Sequence, residues 1–404
     1  MRTCFDILYD VPMKIEEISI KNYRVFKDVQ LRDIPNLCVL VGANGTGKST
    51  LFDVFSFLKD SLNLNVSKAL MKRGGFPEVV TRGAKGPIEF EIKFREAGGR
   101  LATYQLKVGE DRGKGIVESE ILKFRRGKTG QPWHFLDFAR GKGTAITNEE
   151  EYGQEHATAQ RVEQTLDAPD ILAIKGLGQF QRFRVANDFR KLIENWHISD
   201  FHVSDARPSA EEGIAEHLST RGENLSLVAQ YLLQYKPEIF DEILKKMTQR
   251  VPGVTSVEAK PTEDGRIVLR FKDDSFKDPF LARWVSDGTI KMFAYLVLLH
   301  DPIPSPLLAV EEPENQLYPD LLRELSEEFR GYAERGGQVF VSTHSPDFLN
   351  ATHLDEIYAL SKKDGLTQIV RASDKQLLVD LVAQGDMPGE LWRQGLFTVA
   401  GCMQ

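Results

Sequence analysis

The sequence predicts an α/β fold with mixed parallel and antiparallel sheets and a largely helical insertion. Three observations carry this. "LCVLVG" (Leu37–Gly42) is a continuous apolar run that enters a glycine-rich turn and then the helical pattern "KSTLFDVFSFLKDSL"; a strand apolar at every position is buried on both faces. "PIEFEIKF", "ATYQLKV" and "VESEILKF", within residues 87–124, alternate apolar and polar side chains between glycine-containing turns, the pattern of an antiparallel meander. "PLLAVEE" and "GQVFVSTH" are apolar strands separated by a helical stretch at about 320–333, which implies a parallel pair with a helical crossover.

The elements follow in order. Residues 1–13 read as an N-terminal extension. From Lys14 to Ile20 apolar and polar residues alternate, as in a half-buried strand. Residues 14–148 form an N-terminal lobe with the glycine-rich turn and the meander. Residues 149–280 form a mainly helical insertion, best patterned at "LSLVAQYLLQY" and "EIFDEILKKM". Within it, "TEDG" joins "SVEAKP" to "RIVLRF" as a hairpin. Residues 281–404 form a C-terminal lobe, with a helix at about 288–299 following "WVSDGT". There is no internal repeat, and no heptad run long enough for a coiled-coil arm.

A chain of 404 residues buries enough surface to need no disulfide staples. Its three cysteines, Cys4, Cys38 and Cys402, are far apart and match no metal-ligand spacing, as expected in a reducing compartment. No apolar run spans a membrane and no secretory leader is visible, so a cytoplasmic location and no membrane partner are expected. The net charge of −7 argues against bulk attraction to polyanions but leaves room for a local basic patch.

"GANGTGKST" (Gly42–Thr50) fits G-x-x-x-x-G-K-[ST] at every fixed position and lies between a strand and a helix. Small residues let backbone N–H groups curl around phosphate oxygens, and the positive end of the helix faces the same anion. Asn44, Gly45, Thr46, Gly47, Lys48, Ser49 and Thr50 are therefore the candidate nucleotide-binding residues. Lys48 is placed to reach the β- and γ-phosphates, and the Ser49 hydroxyl to ligate Mg²⁺. The expected ligand is a nucleoside triphosphate.

"LLAVEEPENQLYP" ends an apolar strand with two acids. Neighbouring residues at a strand end point to different sides, so Glu311 is assigned to the Mg²⁺ shell and Glu312 to the attacking water. "VFVSTHSPDFL" ends the next strand with His344, which the parallel pairing brings to the same edge. "WVSDGT" (Trp284–Thr289) by itself is a helix cap. Its N–H groups, a serine hydroxyl and a glycine also suit it to clamp a γ-phosphate, provided that Asp287 points away.

This order of motifs resembles the ABC-type ATPases, and more closely the SMC/RecF-like branch and the OLD-like ATPases of bacteria. "MKIEEISIKNYRVFKDVQL", "VGANGTGKSTLFDVF", "WVSDGT", "AVEEPENQLYP" and "VSTHSPDFL" carry the match; residues 125–280 carry little of it. The resemblance implies a P-loop NTPase head of ABC type, with ATP and Mg²⁺ as cofactors. It implies an ATP-dependent head-to-tail homodimer or higher oligomer, in which Ser286, Asp287, Gly288 and Thr289 of one protomer cap the ATP held on the other. Asn315 would lie near the dimer seam, and Arg24 near the nucleotide. The sequence departs from the family pattern at Glu311, where Asp is usual, and in SDGT where SGG is usual. Residues 73–83, where a glutamine loop is expected, contain no Gln.

OLD nucleases carry a Toprim domain after the ATPase. Residues 345–404 are too few for one and show no such acid cluster, so no nuclease activity is expected in this chain. Stand-alone relatives act with a separate effector protein, nucleases among them, often in antiviral defence. A RecF-like DNA-repair clamp is the alternative reading, and a transporter nucleotide-binding subunit the weakest. Leu122–Phe135 and Gln179–Lys191 mix Arg and Lys with aromatics. Such surfaces can grip DNA, although a solvated face over core aromatics is the more ordinary reading.

Overall fold

The computed structural model describes residues 13–95, 100–124, 132–151 and 158–397. Residues 1–12 of the N-terminal extension, and residues 125–131 within the first basic cluster, lie outside the described residues. The chain divides into two compact units: Met1–Trp196 with Leu354–Val379 and Gly395–Gln404, and His197–His353 with Asp380–Gln394.

In the first unit an eight-stranded antiparallel sheet runs β2-β1-β4-β5-β6-β7-β8-β9. Its strands are β1 (Lys14–Tyr23), β2 (Phe26–Leu31), β4 (Ile88–Arg95), β5 (Leu101–Asp111), β6 (Lys114–Phe124), β7 (Trp133–Ala139), β8 (Lys142–Ile146) and β9 (Arg161–Thr165). The predicted meander is β4–β5–β6, and hairpins extend it on both sides. Strand β3 (Leu37–Val41) is buried at every residue. It pairs in parallel with β17 (Ile357–Lys363), which pairs antiparallel with β18 (Leu366–Arg371). The helices are α1 (Lys48–Asn63), α2 (Val66–Met71), α3 (Phe76–Val79), α4 (Ala173–Leu177) and α5 (Arg184–Glu194).

The units do not part at residue 148, because the two helices that follow are fastened to the meander. The Glu120 carboxylate on β6 accepts the first backbone N–H groups of α4, from Ala173 and, at 3.0 Å, from Ile174. Glu149 accepts from Val185 N–H at the start of α5, at 3.1 Å. A carboxylate at a helix N-terminus fills an orphan donor and opposes the positive end of the dipole. Phe189 of α5 then stacks on Phe94, with ring centroids 4.5 Å apart, and meets Tyr104 at 4.6 Å.

In the second unit β10 (His197–Ser199), β15 (Leu307–Glu311) and β16 (Gln338–Thr343) form a parallel set. Helix α10 (Asp320–Glu334) is the crossover between β15 and β16, as their apolar patterns predict. A small antiparallel sheet holds β11 (Ala210–Glu211), β12 (Val254–Pro261), β13 (Arg266–Asp273) and β14 (Phe280–Leu281). Its β12–β13 hairpin turns at "TEDG". Around these lie α6 (Val203–Ala206), α7 (Leu225–Tyr235), α8 (Pro237–Arg250), α9 (Asp287–Leu299) and α11 (Pro346–Leu349). Helices α12 (Gln376–Ala383) and α13 (Pro388–Arg393) come last. The stretch expected to be mainly helical thus also contains β9, β10 and β11 and irregular segments. Short strands flanked by loops carry too few alternations to declare a period.

From Thr289 to Leu299 every residue of α9 is buried, which explains a helix apolar on all faces. No helix among the described residues is long and apolar enough to cross a membrane.

Candidate active site

The phosphate loop in the first unit is shaped by its glycines. A Cβ on Gly42 would lie 2.5 Å from Leu360 O and 2.6 Å from the Thr46 hydroxyl. Gly47 is left-handed at φ 105° and is the N-cap of α1, so no side chain caps the helix. A helix start without a side-chain cap suits an anion. Lys48 is buried, and its ammonium donates to Gly42 O at 2.8 Å and Ala43 O at 3.3 Å. Incoming phosphate oxygens would take over as acceptors from these loop carbonyls. The Thr46 hydroxyl donates to Ala43 O, and Thr367 on β18 donates to Thr46 O at 2.7 Å, bracing the loop from behind. Asn44, Gly45 and Ser49 are exposed, and Thr50 is half-buried.

Arg24 occupies a left-handed turn, φ 48°, between β1 and β2. Its guanidinium pairs with Asp53 of α1 at 2.9 Å. Asp53 also accepts from the Tyr23 hydroxyl and from Arg73, each at 2.7 Å. Burial and the Asp53 carboxylate together push the Tyr23 hydroxyl up from its ordinary range. Residues 73–83, which lack the expected glutamine, fasten to the same turn. Arg24 N–H donates to Val79 O at 2.7 Å, and the Thr81 hydroxyl to Phe26 O at 3.2 Å.

The acidic edge lies in the second unit. Glu311 is the exposed last residue of β15, opposite Ser342 in register. Glu312 leaves the strand at φ 43°, a left-handed conformation that a glutamate adopts at a cost of about 1 kcal/mol. Its N–H donates to Ser342 O at 2.9 Å. One carboxylate oxygen lies 3.3 Å from His344 Nε2, and the other accepts from the Asn315 amide at 3.0 Å. The imidazole is within reach of the carboxylate without being aligned as a hydrogen bond. The expected juxtaposition of Glu312 and His344 is present, and Asn315 closes the turn onto Glu312.

The turn Ser286–Thr289 is a helix cap. The Ser286 hydroxyl accepts from Thr289 N–H at 3.2 Å and meets the Thr289 hydroxyl at 2.8 Å. Asp287 is engaged by the Arg207 guanidinium and by the Gln316 amide, the latter at 3.3 Å. Gly288 is required by packing: a Cβ there would lie 2.7 Å from Gln316 O. Lys291, one turn further along α9, is buried and donates to Asn315 O at 2.7 Å. Burial pulls its pKa down to about 8, against the Glu314 and Glu312 carboxylates, which hold it up. Helix α9 and the turn after β15 are therefore joined at three points.

Arg207, Lys291, Glu314 and Gln316 contact these motif segments and are not singled out by any motif. Lys291 carries a signal, since a lone cation in an apolar helix needs a partner. Arg207 carries none.

Ser49 in the first unit offers a hydroxyl and Glu311 in the second a carboxylate, each by itself a hard oxygen donor of the kind Mg²⁺ takes. Mg²⁺ bound with substrate phosphates needs only one or two protein carboxylates. No group of three His, Cys, Asp or Glu converges among the described residues.

Both basic clusters spend their aromatics mainly on the core. Trp133, Phe135, Phe183 and Phe189 are buried, and Arg190 pairs with Glu194. Phe180 stays exposed, with the Arg182 guanidinium 5.9 Å from its ring centroid.

Fold and site together define an ABC-type ATPase of the SMC/RecF-like branch. The chain belongs to the family described as "AAA domain, putative AbiEii toxin, Type IV TA system", whose profile matches residues 37–350. Over 94 residues, 23% of this chain, it is 32% identical to the DNA double-strand break repair Rad50 ATPase of Pyrococcus abyssi (strain GE5 / Orsay). That stretch spans 10% of the Rad50 protein's length. In fold it is similar to the SmcHead in a crystal structure with the C-winged helix domain of ScpA. The TM-score is 0.53 at 16% identity, covering 88% of this chain and 96% of that one.

Proposed function

We propose that this chain binds ATP, dimerises head-to-tail around it and hydrolyses it, acting as a sensor or scaffold for a separate effector protein in bacterial antiviral defence. Lys48 and the loop N–H groups hold the phosphates. Glu312 orients the attacking water, with His344 beside it. Ser49 and Glu311 would hold Mg²⁺, which would supply charge neutralisation at the phosphates. The turn Ser286–Thr289 meets the γ-phosphate of a second protomer, and Asn315 lies at the seam. A nuclease, where one is needed, is the effector and a different chain. The location is cytoplasmic.

The observation that carries the reading is the Glu312–His344 pair at the ends of neighbouring parallel strands, 3.3 Å apart. A carboxylate beside an imidazole at a sheet edge suits water activation better than a binding-only role. The test is steady-state ATP turnover together with sizing in the presence of ATP or a non-hydrolysable analogue. Turnover and ATP-dependent dimerisation are expected in the wild type and not in Lys48→Ala. A wild type that neither turns over ATP nor dimerises overturns the proposal.

The second reading is a DNA-repair clamp. It is supported by the likeness to the Rad50 ATPase and by the exposed Phe180–Arg182 pair. It requires DNA affinity that falls steeply with salt; binding that is absent or flat in salt removes it.

A further inference from the structure

Glu314 is the third acid of the segment after β15, and no motif gives it a task. One of its carboxylate oxygens accepts two hydrogen bonds from the end of β16: His344 N–H at 2.7 Å and the Thr343 hydroxyl at 2.9 Å. The Thr343 hydroxyl in turn accepts from Ser345 N–H at 3.0 Å. The backbone on both sides of His344 is thus tied to a single carboxylate. The His344 Nε2, by contrast, has no aligned hydrogen-bond partner among the described residues and only faces Glu312 at 3.3 Å. Its aim at Glu312 is therefore set by its backbone, and that backbone is set by Glu314.

Glu314 is itself held on a rigid turn. Its carbonyl accepts from Leu317 N–H at 3.0 Å, and Asn315 N–H donates to Glu312 O at 3.1 Å. The Lys291 ammonium, reaching from α9, bonds the next carbonyl along, Asn315 O. The second Glu314 oxygen is buried and has no hydrogen-bond partner among the described residues. A carboxylate half-satisfied in this way is costly to keep, which points to a task beyond capping.

We infer that Glu314 is a positioning residue for hydrolysis: it fixes His344 against Glu312 by holding the His344 backbone. This rests on the ATPase reading above. Glu314 is an acceptor here and not a proton carrier, so an amide in its place serves almost as well, whereas a methyl group or a shorter acid does not.

The test is steady-state ATP turnover by the full chain and its variants. Glu314→Ala lowers kcat by about tenfold and leaves KM for ATP within about twofold, because only the geometry of the hydrolytic pair changes. Glu314→Gln restores most of that loss. If Glu314→Ala does not fold, Glu314→Asp carries the test, with a lowered kcat at unchanged KM expected. Wild-type kcat in the Ala or Asp variant overturns the inference, and so does a Gln variant as slow as Ala. Wild-type protein without turnover overturns the ATPase reading instead, so the two failures are distinct.

Discussion

Arg207 forms an ion pair with Asp287, 80 residues further along the chain. The same guanidinium donates to Ala282 O and Arg283 O at 3.0 Å. One arginine therefore braces the approach to the Ser286–Thr289 turn and neutralises the acid within it. For a turn proposed to meet a γ-phosphate an acid is a conflict in the sequence, and this pairing resolves it. Asp287 does not have to point away, because its charge is balanced.

Removing that balance should weaken the ATP-bound dimer. Arg207→Ala is expected to raise the dimer dissociation constant roughly tenfold while ATP binding to the monomer stays unchanged, since like charge at an interface costs affinity. Asp287→Asn in the Arg207→Ala background should restore most of the loss. Sedimentation with a non-hydrolysable ATP analogue measures both. Failure of the second change to compensate assigns Arg207 a purely structural role.

Hydrolysis should separate from binding at Glu312. Glu312→Gln is expected to keep ATP affinity and lower kcat by about 10²- to 10⁴-fold, the usual worth of a positioned base. The closed dimer should accumulate in ATP, as seen by sizing. Turnover at the wild-type rate would remove Glu312 from its role.

The phosphate loop offers a contrast between two glycines. Gly42→Ala places a methyl 2.5 Å from Leu360 O, and either the loop or β17 must move. A stability loss of about 1–3 kcal/mol is expected, with loss of nucleotide binding. Gly45→Ala meets nothing within 4 Å and suffers only its positive φ of 77°, about 1–2 kcal/mol. Thermal unfolding combined with nucleotide titration distinguishes them. Equal loss of binding in both would show that φ, and not the close approach to Leu360, governs the loop.

Stability should fall as pH rises through mildly acidic values. Burial pushes Glu120 up from 4.5 to about 7, against the pull of the Ile174 and Ala173 N–H groups and the Tyr104 hydroxyl. Burial raises Glu149 to about 7 as well. Between these values the folded chain holds protons that the unfolded chain has released. This contribution is complete below 4.5 and is lost as pH climbs through 7, with a slope of at most about 1.4 kcal/mol per pH unit for each carboxylate. Denaturant midpoints from pH 4.5 to 7.5 measure it. Glu120→Gln should flatten the profile, and an unchanged slope in that variant would assign the effect elsewhere.

The phosphate loop, the acidic strand end and the His strand are legible in the sequence because each is a local pattern. An apolar run buried at every residue (Leu37–Val41), a glycine spacing (Gly42–Gly47) and a helix start (Lys48) follow one another without a gap, where the geometry of the backbone leaves few alternatives. The β15–α10–β16 crossover is legible for the same reason: a strand, a helix and a strand of these lengths can be parallel in one hand only.

What the tertiary structure decided is who neutralises and who holds these groups. Nothing near Asp287 in the chain announces Arg207, and nothing in "EEPEN" says that its third acid, Glu314, grips the backbone of His344. Glu120 sits in a stretch that reads as a meander and Glu149 at the start of one that reads as mainly helical, yet their carboxylates fasten α4 and α5 into the first unit, so the compact units part at Trp196 and not at residue 148. A charged side chain carries no period and no spacing. Its partner is chosen by whichever surface folding brings within about 3 Å, because a buried charge must be paired wherever it lands. The sequence by itself therefore determined the chemistry on offer, and only the fold decided which of those groups face one another.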